Sequence, residues 1–344
     1  MILGVNLNHD YAYCKIDGDN IYLLEMERHS RIRHHWNKES YTLAILDDLS
    51  VEELKNTETI YLNSPNMDQI EEKGGNLSSL KREYHYRGDY LTLDNNSGLS
   101  HGKLEVEGIE IDCTWVSHYH AHAASSFFTS SYDQADILCI DGGGDFGLGA
   151  WFYGDKTAIN LKSRYLDCQL GLSYHEFSKN VFNVQGRGFY ESKVMALAGF
   201  GKREKSANKF LKADSTLNDM SAYNKISVHD IAQFQHDFEQ GIVDLILKDK
   251  KNDYLCCAGG CFLNVSLNRE LVERGLYKGI WIPPYTSDMG IAIGCALYAY
   301  IDCKGELPPS TLLKNPYLGD HLSVSLEKIK SIIEKSGEEY ELHT

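Results

Sequence analysis

The sequence predicts an α/β protein built from two related halves, and three observations carry that expectation. "ILGVNL", "YAYCKI" and "NIYLLEM" near the N-terminus are short aliphatic, β-branched or aromatic runs separated by "NHD" and "DGDN" turns, the pattern of a β-meander. The pattern recurs from Ile137, where "ILCID" leads through the glycine turn "GGGDFG" to "LGAWFYG" and "TAINLKS". Helical periodicity then alternates with single buried strands to the end of the second half.

Laid over one another, "ILGVNLNHDY" and "ILCIDGGGDF" agree in strand, turn, a late Asp (Asp10, Asp145) and an aromatic (Tyr11, Phe146), which suggests duplication. Residues 64–110 are polar and carry "GGNLSS" and "DNNSG", so they are expected to form an insertion or lid. "YHEFSKNVF" and "YESKVMALAGF" read as helices. Residues 228–249 read as a longer one, with apolar positions recurring at three and four. The strand "DYLCCAGG" feeds the helix "NVSLNRELVERG". "KGIWIPP" is a further strand, and "SDMGIAIGCALYAYI" is a small-residue helix opening on Ser287 and Asp288. This order matches the actin/sugar-kinase-like fold, in which two α/β halves face each other across a nucleotide cleft. The halves fall at about 1–135 and 136–315.

With 34 basic against 49 acidic residues, the net charge of -15 argues against general affinity for polyanions. Two local basic patches remain, "RHSRIRHH" at 28–35 and the aromatic-basic "KREYHYR" at 81–87. No apolar run approaches the roughly 18 residues of a membrane span. The opening residues lack a basic segment and cleavage site, so they read as a first strand. Nine cysteines, unevenly spaced, fit reduced thiols in a cytoplasmic compartment better than disulfides, and Cys256, Cys257 and Cys261 read as small apolar strand residues.

The stretch "SHYHAHAASSFF" at 117–128 places three histidines two apart. Its alanines favour a helix, on which His118 and His122 share a face while His120 points away. Such a pair is half of a transition-metal site or simply two core histidines, and the metal reading needs carboxylates from elsewhere. Asp141, ending a buried strand, and Asp288, opening a helix, are the candidates; a turn residue and an N-cap are their plainer alternatives.

These blocks together resemble the O-carbamoyltransferases that act on antibiotics, nodulation factors and similar hydroxylated acceptors. "GVNLNHDYAYCKIDG" followed by "MERHSRIRHH" resembles the family's opening, a His-Asp pair after strand one and then Glu-Arg-x-x-Arg-x-Lys-His. "SHYHAHAASSFFTSSYDQADILCIDGGGD", "YESKVMALAGFG", "AGGCFLN", "DMGIAIGCAL" and "PYLGD" continue the resemblance in order. It implies a two-step reaction. Carbamoyl phosphate and ATP give carbamoyl adenylate, and the carbamoyl group then passes to an acceptor hydroxyl in the domain this chain resembles. It further implies a metal, Fe(II) first with zinc or manganese as alternatives, on His118, His122, Asp141 and Asp288. His9 takes the general-base position and Asp10 a substrate contact. Arg31 and Arg33 hold phosphate or carbamoyl oxygens, with Arg33 standing where the family has Lys. Gly142, Gly143, Gly259 and Gly260 would offer unobstructed backbone N–H groups to the adenylate, with Gly171 and Lys193 nearby.

The family's carbamoyl-phosphate-activating segment, Gly-Arg-x-Glu-x-Gly-Pro-Arg-Ala-Leu-Gly, has no counterpart here, so a second domain or protein is the expected partner, and the resemblance implies that 316–344 begins the connection to such a domain. The acceptor is expected to be a sugar- or antibiotic-like hydroxyl, or a hydroxymethyl pyrimidine in nucleic acid that residues 81–87 would contact. Competing readings are a threonylcarbamoyl-adenosine transferase acting on tRNA, a sugar or acetate kinase of the same fold, and a non-catalytic nucleotide-binding partner subunit.

Overall fold

The computed structural model of the chain describes residues 1–32, 34–35, 46–47, 49–63, 76–78, 81–88, 98–144, 147–183, 190–203, 210–212, 216–218, 226–308 and 326–336. Two sheets organise it. The first contains β1 (Ile2–Asn6), β2 (Ala12–Asp17), β3 (Asn20–Glu25), β4 (Thr59–Asn63), β5 (Asn76–Ser78), β6 (Glu83–Gly88), β7 (Leu99–Val106) and β8 (Ile109–Val116), in the order β3-β2-β1-β4-β8-β7-β6-β5. The second contains β9 (Gln134–Gly144), β10 (Gly147–Asp155), β11 (Ala158–Arg164), β12 (Tyr254–Ala258) and β13 (Gly279–Trp281), in the order β11-β10-β9-β12-β13. Each sheet contains an antiparallel meander extended by two parallel strands: β1 pairs with β4, which pairs with β8, and β9 pairs with β12, which pairs with β13. The duplication suggested by two short sequence blocks is thus a repeated topology.

The helices are α1 (Met26–Ser30), α2 (Val51–Lys55), α3 (His118–Phe127), α4 (Leu170–Phe182), α5 (Glu191–Ala198), α6 (Val228–Asp249), α7 (Val265–Glu273), α8 (Met289–Lys304) and α9 (Leu326–Ser336). α6 starts at a capping box between Ser227 and Asp230 and spans the stretch its periodicity predicts. Its buried face, with Phe234 stacked 3.8 Å from Phe177 of α4, covers the outer side of the second sheet. No described helix is long and apolar enough to cross a membrane. All nine cysteines are free, and burial pushes the Cys256 thiol up to about 12.

Between the sheets lies the core layer formed by α3 and α8. α8 packs on β1, β2 and β4 of the first sheet although it follows the second in sequence; α3 packs on β9 and β12 of the second. α8 is buried over most of its length and apolar on every side, as a helix enclosed between other elements must be. The two helices approach so closely that a Cβ on Gly294 would lie 1.9 Å from the Ala121 carbonyl oxygen. A Cβ on Gly4 of β1 would lie 2.2 Å from Ala292 O, so the opposite side of α8 is equally tight.

Two expectations for residues 64–110 need correction. The described parts of this segment are mostly strands: β5, β6 and β7 lengthen the first sheet, whereas the sequence suggested an insertion or lid. Strand alternation also turns Tyr84 and Tyr86 inward, each 1% exposed, so neither ring is available to stack on a base. The cations beside them serve the fold. Arg82 donates to Leu46 O and Leu49 O, Lys81 to the Asp47 carbonyl and carboxylate, and Arg87 pairs with Glu105.

Gly294→Val is expected to force α3 and α8 apart at a cost of about 1–3 kcal/mol, the usual range for overpacking. Thermal unfolding of the variant checks this as a lowered Tm.

Candidate metal centre

α3 and α8 both point their N-terminal ends at one spot. His118 opens α3 and His122 lies one turn later, so both rings project from the same side of the helix with centroids 4.6 Å apart. Asp288 occupies the N-cap of α8 but makes no side-chain capping bond, which leaves its carboxylate for other partners. Asp141 stands near the end of β9, where the sheet passes beside α3. One ligand atom from each of His118, His122, Asp141 and Asp288 lies within 4.8 Å of the other three, the sole such group among the described residues.

The pairwise geometry is tight. His122 Nε2 lies 3.2 Å from Asp288 Oδ1 and 3.5 Å from Asp141 Oδ2, and His118 Nε2 lies 3.8 Å from Asp288 Oδ1. His118, His122 and Asp288 are almost completely buried. Despite these short approaches, neither ring nitrogen of His122 makes a hydrogen bond of acceptable angle. Two imidazoles and two carboxylates converging this closely form a donor set suited to a shared cation.

Electrostatics agrees. Burial pushes His118 down to about 4 against the pull of Asp288, keeping it neutral, the form in which imidazole binds a metal. His122 meets the same burial penalty, but Asp141 and Asp288 overcome it and raise it to about 9. Burial works against the Asp141 charge too, yet the neighbouring His122 outweighs it and holds that carboxyl below its usual range.

Second contacts fix the four groups. Asp141 Oδ1 accepts from Gly142 N at 2.6 Å and Oδ2 from Gly260 N at 2.8 Å. Gly259 N donates to Thr286 O at 2.7 Å, tying the loop after β12 to the segment leading into Asp288. Gly142, Gly259 and Gly260 therefore donate these N–H groups to acceptors of the chain itself, a correction to their expected role as open phosphate donors, although Gly142 is exposed. Gly143 is exposed, with open space where a Cβ would stand. Gly171 lets α4 reach β9, since a Cβ there would lie 2.3 Å from Asp141 O. Gly144 does the same for His118, whose ring would meet a Cβ at 2.4 Å.

His9 joins the cluster from the turn after β1. Its Nε2 lies 3.2 Å from Asp288 Oδ2 and its Nδ1 3.2 Å from Asp10 Oδ2. Desolvation opposes charging of this ring, but Asp288 and Asp10 prevail and raise it to about 9. Both ring nitrogens of His9 thus face carboxylates. Asp10 is also corrected: it is 6% exposed, and both its oxygens are engaged, Oδ2 by His9 and Oδ1 by His34 Nδ1 at 2.7 Å. A free substrate contact is not available there.

The remaining candidates lie apart from the cluster. Arg31 is exposed in a left-handed conformation at the end of α1, with no ion-pair partner among the described residues. Arg33 falls outside the described residues. Lys193 is exposed over the rings of Tyr190 and Phe182. His120 faces away, bonded to Ser117 Oγ and edge-on to Phe152. Sequence reasoning missed Asn6, fully buried at the end of β1, whose Nδ2 donates to His9 O, Asp10 O and Asp288 O at 3.0–3.2 Å. A lone Asn in the apolar run "ILGVNL" was the one signal for it.

A duplicated α/β fold with a cluster of metal-ligand character between its two central helices defines the class of protein. The solved structure of HypF from T. kodakarensis shares the fold, with a TM-score of 0.50 and 11% identity over 88% of this chain and 48% of that one. The model of the carbamoyltransferase N-terminus family matches residues 39–238 and 224–297, and the chain belongs to that family. Nodulation protein NolNO of Sinorhizobium fredii is 29% identical over 256 residues, covering 65% of this chain and 37% of the relative. Nodulation protein NolO of Bradyrhizobium diazoefficiens is 30% identical over 236 residues, covering 60% of this chain and 42% of the relative. The chain thus aligns with about two fifths of the length of these relatives.

Asn6→Ala would leave three carbonyls of the His9–Asp10 turn and the α8 N-terminus without this donor. The expected cost is about 1–3 kcal/mol, the range for buried groups left unsatisfied, read as a lowered denaturation midpoint.

Proposed function

We propose that the chain carries out carbamoyl transfer from carbamoyl adenylate to an acceptor hydroxyl, with a divalent cation held by His118, His122, Asp141 and Asp288. The observation that carries this reading is the convergence of those four ligand atoms beside His9, in a chain of the carbamoyltransferase N-terminus family. Two imidazoles and two carboxylates suit Fe(II), zinc or manganese, with Fe(II) the foremost candidate. A bound cation supplies Lewis-acid polarisation of the carbamoyl or phosphoryl oxygen and offsets the charge of Asp141 and Asp288.

In the transfer, the acceptor oxygen forms a bond to the carbamoyl carbon while the bond from that carbon to the phosphate oxygen breaks and AMP leaves. The acceptor's proton passes to His9 Nε2, the ring nitrogen on the side of the cluster. Asp10, on the other ring nitrogen, fixes which edge of His9 faces the reaction. Asp141 is oriented by Gly142 and Gly260, and Asp288 through the Asn6 bond to its own carbonyl. Arg31 and Lys193 stand as candidates for adenylate contacts made from outside the cluster. The adenylate itself would come from a carbamoyl-phosphate-activating domain or protein, and the reduced cysteines suit a cytoplasmic setting. A small hydroxylated acceptor is preferred to nucleic acid because Tyr84 and Tyr86 are buried and the net charge is -15.

Elemental analysis of the purified chain is expected to find near-stoichiometric divalent metal, reduced to background in the double variant His118→Ala, His122→Ala. Protein that is metal-free and cannot be reloaded would overturn the metal assignment. His9→Ala is expected to keep the metal yet lose transfer by about 100-fold or more, the usual contribution of a positioned acid–base group. Release of AMP from carbamoyl adenylate in the presence of hydroxyl acceptors provides the measurement.

A further inference from the structure

The Asp10 carboxylate binds two histidines, and only one of them belongs to the machinery described above. The second, His34, reaches it from an unusual piece of backbone. α1 ends at Arg31 with φ 59°, His34 has φ 52°, and Asp10 itself has φ 56°. Non-glycine residues in this region persist where their surroundings over-determine them. Here the determinants are visible. His34 N donates to Glu27 Oε2 at 3.0 Å, Tyr11 N donates to the carbonyl of His35 at 3.3 Å, and Asn6 holds the carbonyls of His9 and Asp10. The chain after α1 is folded back so that the His34 ring lies on the Asp10 carboxylate.

We propose that His34 is a positioning residue for His9, acting through Asp10. A carboxylate with one partner can rotate about its terminal torsion and offer either oxygen. With Oδ1 bonded to His34 Nδ1 at 2.7 Å, Oδ2 is left aimed at His9 Nδ1. That bond selects the edge of His9 that carries Nε2 for the metal-cluster side, where Asp288 Oδ2 lies 3.2 Å away. The arrangement extends the familiar pairing of imidazole with an orienting carboxylate by one member, a histidine that orients the carboxylate. The inference rests on the proposed role of His9, but its structural part can be read without any turnover.

Two variants separate positioning from folding. His34→Gly removes the imidazole while tolerating the positive φ, and His34→Asn keeps the positive φ accessible and places an amide N–H near the lost Nδ1. Nitrogen-15 NMR of histidine-labelled full-length chain follows the His9 Nδ1–H signal, assigned by its disappearance in His9→Gln. The expected result is a signal lost to rapid exchange in His34→Gly, retained in His34→Asn, at similar Tm. In the transfer assay, His34→Gly is expected to lower kcat by about 10- to 100-fold, the range for outer partners of a site, leaving KM largely unchanged, with His34→Asn recovering most of the loss. An unchanged His9 signal in His34→Gly would overturn the proposal, as would equal impairment of the Gly and Asn variants. A His9 signal that responds as expected in a chain that transfers no carbamoyl group would support the positioning role and refute the reading of function.

Discussion

The close crossing of α3 and α8 is the constraint on which the rest of the structure depends. Gly294 of α8 meets Ala121 and Ser125 of α3 with no room for a Cβ, a Cβ there lying 1.9 Å from Ala121 O and 3.1 Å from Ser125 N. Each helix lies on a different sheet, so this crossing also joins the two halves. Helices with ordinary side chains at their contact keep their axes about 8–10 Å apart. Removing the side chain at the contact brings the N-terminal ends together, and those ends carry His118, His122 and Asp288. The metal-ligand geometry is therefore a consequence of helix packing, since no single element could bring all four groups within 4.8 Å.

Charge is the second constraint. Asp10, Asp141 and Asp288 stand close together in a poorly solvated region, and ionised carboxylates there need compensation. The protein supplies part of it through backbone N–H groups at Asp141 and through His9, His34 and His122. The raised proton affinities of His9 and His122 have a common origin in this excess of negative charge. A net charge of -15 over the whole chain would by itself say nothing about this spot. Its local arrangement concentrates carboxylates that the chain-wide figure does not reveal.

The glycine segments have a different place in this scheme from the one their composition suggests. Gly142, Gly259 and Gly260 commit N–H groups to Asp141 or to the Thr286 carbonyl, and Gly144 and Gly171 clear space for His118 and α4. They build the wall of the site. The same is true of "KREYHYR", where strand alternation buries the aromatic rings and neighbouring acidic and carbonyl oxygens occupy the cations. These aromatics and bases form a sheet extension, and period-two alternation decides which of them face inward.

By itself the sequence determined what is local: two meanders, the 228–249 helix, the shared face of His118 and His122, and the strand-end and helix-start positions of Asp141 and Asp288. Periodicity, capping and turn chemistry act over a few residues, so they are legible without coordinates. Only the tertiary structure decided that α8 lies on the first sheet, that Asp288 spends its carboxylate on the histidines instead of on its helix cap, and that Asp10 is held between His9 and His34. Each of these outcomes depends on which surfaces pack together across the chain. Packing of that kind is set by shape at the crossing point, where the absence of a side chain at Gly294 counts for more than any pattern the sequence displays.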